Sequence, residues 1–191
     1  MPDSLTAKTR NLNVFCSACH GQLGFFNDRA HAVTLLKWQI SCTSTSGIIP
    51  GIPECLAATL ISTIARSGSS KSLITPLPET VRENEEQGGV RNAIHVWVLN
   101  NSIVYSSSTV ERPMPAIKLL YRPIPREDAD KMLEAVTCEA QEINLPAHAV
   151  DDVIRGLDES NALLPPTERM LKEWKVGLLT RWEQKARILS R

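Results

Sequence analysis

The chain has no excess of charge of either sign: 21 Lys and Arg balance 21 Asp and Glu, for a formal net charge of zero. Neither a polyanion nor an anionic membrane surface is therefore selected by bulk electrostatics. Long apolar runs are also missing. None approaches the roughly 18 residues that span a bilayer, and Met1–Leu12 is polar, without the apolar centre of a signal peptide. Cysteine is sparse and unpaired in pattern. Five cysteines without regular spacing do not make a disulfide framework, so reduced cytoplasm or nucleus is the expected setting.

What remains is an ordinary globular composition, 42% apolar and 22% charged over 191 residues. That length suits one domain with a sizeable core. Its one chemical signature is Val14–Gly24, VFCSACHGQLG, which holds the only closely spaced cysteines. Cys16 and Cys19 have the spacing of a metal knuckle, in which a tight turn presents both thiolates to one ion. CSACH also fits haem attachment, a redox CxxC, or two thiols buried as small apolar groups. The glycines at 21 and 24 argue against a helix there, and so against the redox reading.

In chain order, Leu12–Cys16 and Ala32–Cys42 read as strands, the latter ended by the turn-forming run Thr43–Gly47. Pro53 suits the first turn of a helix over Pro53–Ser67, whose Leu56, Leu60, Ile61 and Ile64 share a face and whose C-cap is Gly68. Lys71–Thr75 reads as a short strand. Pro76–Arg91, with its glutamates and glycines, reads as a mobile loop.

Ala93–Ser107 is apolar on both faces, as in the middle of a sheet, with a hairpin turn predicted at Asn100–Asn101 that sets Val104 near Trp97 and Tyr105 near Val96. Ala116–Tyr121 is the next strand. Ala129, Met132, Leu133 and Val136 predict a helix, Thr137–Leu145 a strand, and Val150, Val153, Ile154 and Leu157 a helix that ends near Asn161. Trp174, Val176 and Leu178 alternate as in a strand. Residues 1–11 form a lead-in, 12–182 the domain and 183–191 a basic tail. The fold class is α+β: a mixed, mainly antiparallel sheet with about three helices packed on it.

Val14–Gly24, IHVWVLNNSIVYSSS, AIKLLYRP and above all LDESNALLPPTERMLKEWKVGLL resemble the C-terminal half of the HECT-like ubiquitin-conjugating-enzyme-binding family, from about Asn11 to Trp182. Its most specific part is the S-N-A-x-L-P pattern at Ser160–Pro165. The resemblance implies a ubiquitin ligase that binds a ubiquitin-conjugating enzyme, or a non-catalytic partner of the endonuclease that cleaves messenger RNA 3′ ends. Family members are about twice as long and carry another cysteine pair upstream. Cys16 and Cys19 are then one half of a zinc site, with His20, His31, Cys42 and Cys55 as completing ligands within this chain.

A thioester-forming ligase needs an accessible thiol of lowered pKa and groups that stabilise an oxyanion. No cysteine follows Cys138, so the terminal block lacks a nucleophile. Cys138, beside Glu139, and Cys55, in the first turn of a helix, are the weak catalytic candidates. A RING-type cross-brace needs more paired ligands than the chain has. Phe15, Leu23, Phe25 and Phe26, beside the knuckle, are the candidate docking surface for the conjugating enzyme.

Overall fold

The computed structural model describes residues 11–41, 49–77, 92–108 and 110–182. The predicted lead-in through Arg10, Cys42, the turn at Thr43–Gly47, the loop from 78 to 91 and the tail lie outside the described residues. The chain divides into two compact units, one built from residues 1–49 with 77–89 and the other from 50–76 with 90–191. Three helices and a mostly antiparallel strand pairing make the fold α+β, as the sequence patterns imply.

The smaller unit is a three-stranded antiparallel sheet of β1 (Asn11–Phe15), β2 (Gln22–Asn27) and β3 (Ala32–Leu35), in that order. The sequence reading missed β2, because Gly24 interrupts its apolar pattern. That glycine is required: a Cβ there would overlap the carbonyl of Thr34 on β3. β3 is much shorter than the predicted Ala32–Cys42. All four of its residues are exposed, and the pairing with β2 stops at Leu35, after which the chain turns.

The larger unit starts with α1 (Ile52–Ser67), which has proline in its first turn and ends at Gly68 in the left-handed conformation, φ 74°. Gly68 N–H closes the helix by donating to Ile64 O at 2.8 Å. Next come β4 (Lys71–Pro76), β5 (Asn92–Ser107), β6 (Val110–Pro125), α2 (Arg126–Glu134), β7 (Gln141–Leu145), α3 (Ala147–Ala162), β8 (Met170–Leu171) and β9 (Trp174–Thr180). The sheet order is β7-β4-β5-β6-β9-β8, with only β4 and β7 parallel.

The predicted turn at Asn100–Asn101 is replaced by continuous strand. β5 runs 16 residues and turns only after Ser107, so Trp97 pairs with Leu120 instead of Val104, and Val96 with Tyr121 instead of Tyr105. The asparagines sit instead where the register slips between Val98 and Ile103. Two further elements fall short of expectation. α2 ends at Glu134 and leaves Val136 fully exposed, and β7 begins only at Gln141, so Cys138 lies in the connection before it.

Sheet register sorts the core. Ile74, Ile94, Val96, Leu119, Tyr121 and Gly177 share one face, and Leu56, Leu60, Val153 and Leu157 of α1 and α3 are buried with them. α3 packs directly over Gly177: a Cβ there would stand 2.9 Å from Leu157 Cδ2 and 3.1 Å from the Tyr121 ring. On the opposite face, α2 covers one end through Ala129, packed with Leu73, Ala93 and Ile124. That face continues along β5 through His95 and Trp97.

Candidate functional site

The cysteine pair lies in the turn that joins β1 to β2. Cys16 N–H donates to Gly21 O at 2.8 Å and His20 N–H to Cys16 O at 2.9 Å, which folds the connection back on itself. His20 takes positive φ, 57°, to complete the reversal. The turn points the amide N–H groups of Cys19 and Ala18, and then the Cys19 thiol, at the Cys16 sulfur. These hydrogen bonds hold the Cys16 thiol below its ordinary pKa. Both thiols are free and accessible, Cys19 the more so.

Such a turn suits two ligands of a tetrahedral ion. A third is not assembled: among the described residues no three His, Cys, Asp or Glu side chains gather as a metal site. His20 is exposed; His31 sits at positive φ, 46°, with its ring 6.4 Å from Phe26. Cys55 belongs to α1 in the other unit. The described side chains do not make a complete zinc site.

Around the turn the small sheet is unusually apolar on its surface. Cross-strand register puts Leu12, Phe26 and Val33 in one row and Val14, Gly24 and Leu35 in the next, all on the same face. Leu12, Val33 and Leu35 are 43%, 53% and 48% exposed, and Phe15 is also exposed. Phe25, one residue out of phase, points to the other side of the sheet. Of the aromatic and aliphatic residues predicted to flank the knuckle, Phe15 is exposed, whereas Leu23, Phe25 and Phe26 are half-buried. The exposed set therefore includes three residues, Leu12, Val33 and Leu35, that motif reading passed over. Their alternation along β1 and β3 is the signal that could have found them.

The two weak nucleophile candidates lie in the larger unit. Cys138 is half-buried, and its thiol points at Ala140 O, 3.7 Å away. Cys55 is half-buried in the first turn of α1.

The S-N-A-x-L-P segment turns out to be a structural clip. Ser160 Oγ donates to Leu157 O (2.8 Å) and accepts from Leu178 N–H (3.0 Å). Asn161 Nδ2 donates to both Arg169 O (2.8 Å) and Val176 O (2.7 Å). Arg169 reaches back to the carbonyls of Leu164 and Ala162. The end of α3 thereby supplies the outer edge of β9 with partners where β8 is too short to do so.

A second cluster, which no motif announced, occupies the face of β5 that α2 leaves uncovered. His95 and Arg122 are directly opposed on β5 and β6. The Trp174 ring stands 4.7 Å from the imidazole at 64°, and the Arg122 guanidinium lies 5.1 Å above that same indole. Trp97 is 6.5 Å from Trp174, and Lys71 Nζ lies 5.6 Å from the Trp97 ring. Burial, with Arg122 and Lys71 close by, pushes His95 down to about 4, so its imidazole is neutral at physiological pH.

The described structure is thus an α+β chain whose small sheet shows apolar side chains around a paired-thiol turn. The chain belongs to the HECT-like ubiquitin-conjugating-enzyme (E2)-binding family, whose model matches residues 3–176, and this places it in the ubiquitin pathway. No curated protein and no solved structure matches it. Among the described residues, no helix is long and apolar enough to cross a membrane.

Proposed function

We propose that the three-stranded unit is the docking surface for a ubiquitin-conjugating enzyme, and that the chain holds this enzyme in place without taking ubiquitin onto a thiol of its own. The observation that carries this reading is the face with exposed Leu12, Val33 and Leu35 on a sheet whose opening turn presents Cys16 and Cys19. Apolar side chains rimmed by polar ones are what a partner surface offers. The non-catalytic half of the proposal rests on Cys138, which is half-buried with its thiol turned onto the Ala140 carbonyl, 3.7 Å away, rather than open to an approaching thioester.

The test is to incubate the chain with conjugating enzymes charged with ubiquitin, and to measure their affinity alongside. Docking predicts measurable binding that falls at least tenfold in Val33→Asp and in Leu35→Asp, with no reductant-sensitive ubiquitin adduct on the chain. Unchanged affinity in both variants would remove the sheet from the interface. An adduct lost on reduction would make the chain a thioester ligase, with Cys138 and Cys55 the first residues to replace.

A further inference from the structure

His95 is 7% exposed, and neither of its ring nitrogens has a hydrogen-bond partner among the described residues. The same is true of Arg122 Nε, on the strand directly opposite. Three unpaired buried nitrogens on two facing side chains are costly, because each has given up water without gaining a partner. Purely apolar packing would avoid that cost altogether. The charges nearby do not remove it. Glu173 lies 3.8 Å from Arg122 Nη1, beyond hydrogen-bonding distance, and is itself 57% exposed. Lys71 is already held by Glu139 at 2.9 Å. Arg122 therefore keeps donors of its planar fork uncommitted, next to an imidazole that is neutral and can supply one more N–H.

We infer that Arg122 and His95 bind a peptide carboxylate, with Trp174 and Trp97 receiving the apolar side chain next to it. A carboxylate matches the donors in number and charge: it carries one negative charge, like the Glu173 side chain it replaces 3.8 Å from the guanidinium, and offers two oxygens to the fork and the imidazole N–H. A phosphate would bring up to two charges against the one guanidinium. The entrance is the Trp174 side. Trp174 is half-buried and follows a reversal at Lys172, φ 55°, and on its outer side β9 is paired by only the two residues of β8, so the ring that covers His95 sits at the start of a strand with a short edge neighbour. An entering carboxylate displaces Glu173 from Arg122 and shifts the indole away from the imidazole. This site lies in the larger unit and is independent of the docking surface on the small sheet.

The intact chain titrated with the peptide Gly-Gly-Phe, its C-terminal amide, and acetyl-Phe-Asp-Gly-amide tests the inference, read by indole fluorescence and by the ring resonances of His95. Saturable changes in both signals with Gly-Gly-Phe, at least tenfold weaker with its amide, are expected for a chain-terminal carboxylate. Stronger binding of the blocked aspartyl peptide would support the same site with an acidic side chain as its source. Arg122→Gln and Trp174→Phe should each weaken the preferred peptide at least tenfold. If all three peptides bind alike, or if the His95 resonances of the wild-type chain do not move with any peptide, the cluster is sealed aromatic packing and the inference is overturned.

Discussion

The Tyr121 hydroxyl donates a 2.6 Å hydrogen bond to Asp158, fastening the centre of β6 to α3. Lys175 on β9 reaches the same carboxylate oxygen at 2.7 Å and lies 5.8 Å from the Tyr121 ring. Burial, and then the bond to Asp158, raise the tyrosine pKa. Burial would also raise Asp158, but its bonds to Lys175 and Tyr121 outweigh this and hold it below the usual carboxylate value. Tyr121→Phe should cost about 1–2 kcal/mol in urea denaturation at neutral pH, because Asp158 keeps Lys175. The difference from wild type should shrink as the medium is acidified through the carboxylate range, where Asp158 becomes protonated.

His95 gives the opposite end of the titration a signature. Its folded pKa, about 4, lies below the free value of 6.5. The unfolded chain therefore takes up this proton first as pH falls. Its contribution to stability is complete above pH 6.5 and is lost progressively down to pH 4, by at most about 3 kcal/mol. The charged groups around it are Lys71 and Arg122 with their partners Glu139 and Glu173. Thermal denaturation across that window should show a slope that His95→Phe flattens.

Gly177→Ala should destabilise the larger unit by about 1–3 kcal/mol, since the new methyl meets Leu157 Cδ2 and the Tyr121 ring, and both side chains are fully buried, so a shift of either must be taken up by its packed neighbours. The companion Leu157→Ala makes room. A double-mutant cycle should show the pair to be coupled, with Gly177→Ala costing less in the Leu157→Ala background.

The clip at the end of α3 makes a local prediction. Asn161→Ala removes two donated bonds and leaves Val176 O without its donor, for an expected loss of about 2–3 kcal/mol. Hydrogen exchange should locate the damage at Val176 and Leu178 on the edge of β9, with the β5–β6 ladder unaffected.

Sequence reading reached whatever depends on near neighbours. The helix faces of α1 and α3 are set by residues three and four apart, and the apolar-on-both-sides pattern of β5 follows from its central place between β4 and β6. The Asn100–Asn101 turn failed for a physical reason. Asparagine pairs favour tight turns, but Val96 and Val98 gain more from facing Tyr121 and Leu119 above the helix layer than a turn would give, and the strand runs on. The His95 cluster could not be read at all. His95 alternates visibly with Trp97, yet Trp174 reaches them only because β9 pairs with β6, and nothing local encodes that pairing. The S-N-A-x-L-P segment was legible as a pattern while its work, capping a strand edge, was not.

The parallel pairing of β4 with β7 bears on the order in which the chain acquires its shape. Thr75 Oγ1 bonds Asn144, 69 positions further on, whereas the β5–β6 ladder closes around a short reversal after Ser107. Loop-closure entropy favours the local ladder early and the distant pairing late. During synthesis β4 emerges with Leu73 and Ile74 well ahead of β7, so for that interval one edge of an apolar strand has no covering neighbour. The nascent chain is thus most vulnerable to intermolecular strand pairing before Gln141–Leu145 has left the ribosome, and its exposure ends when β7 docks.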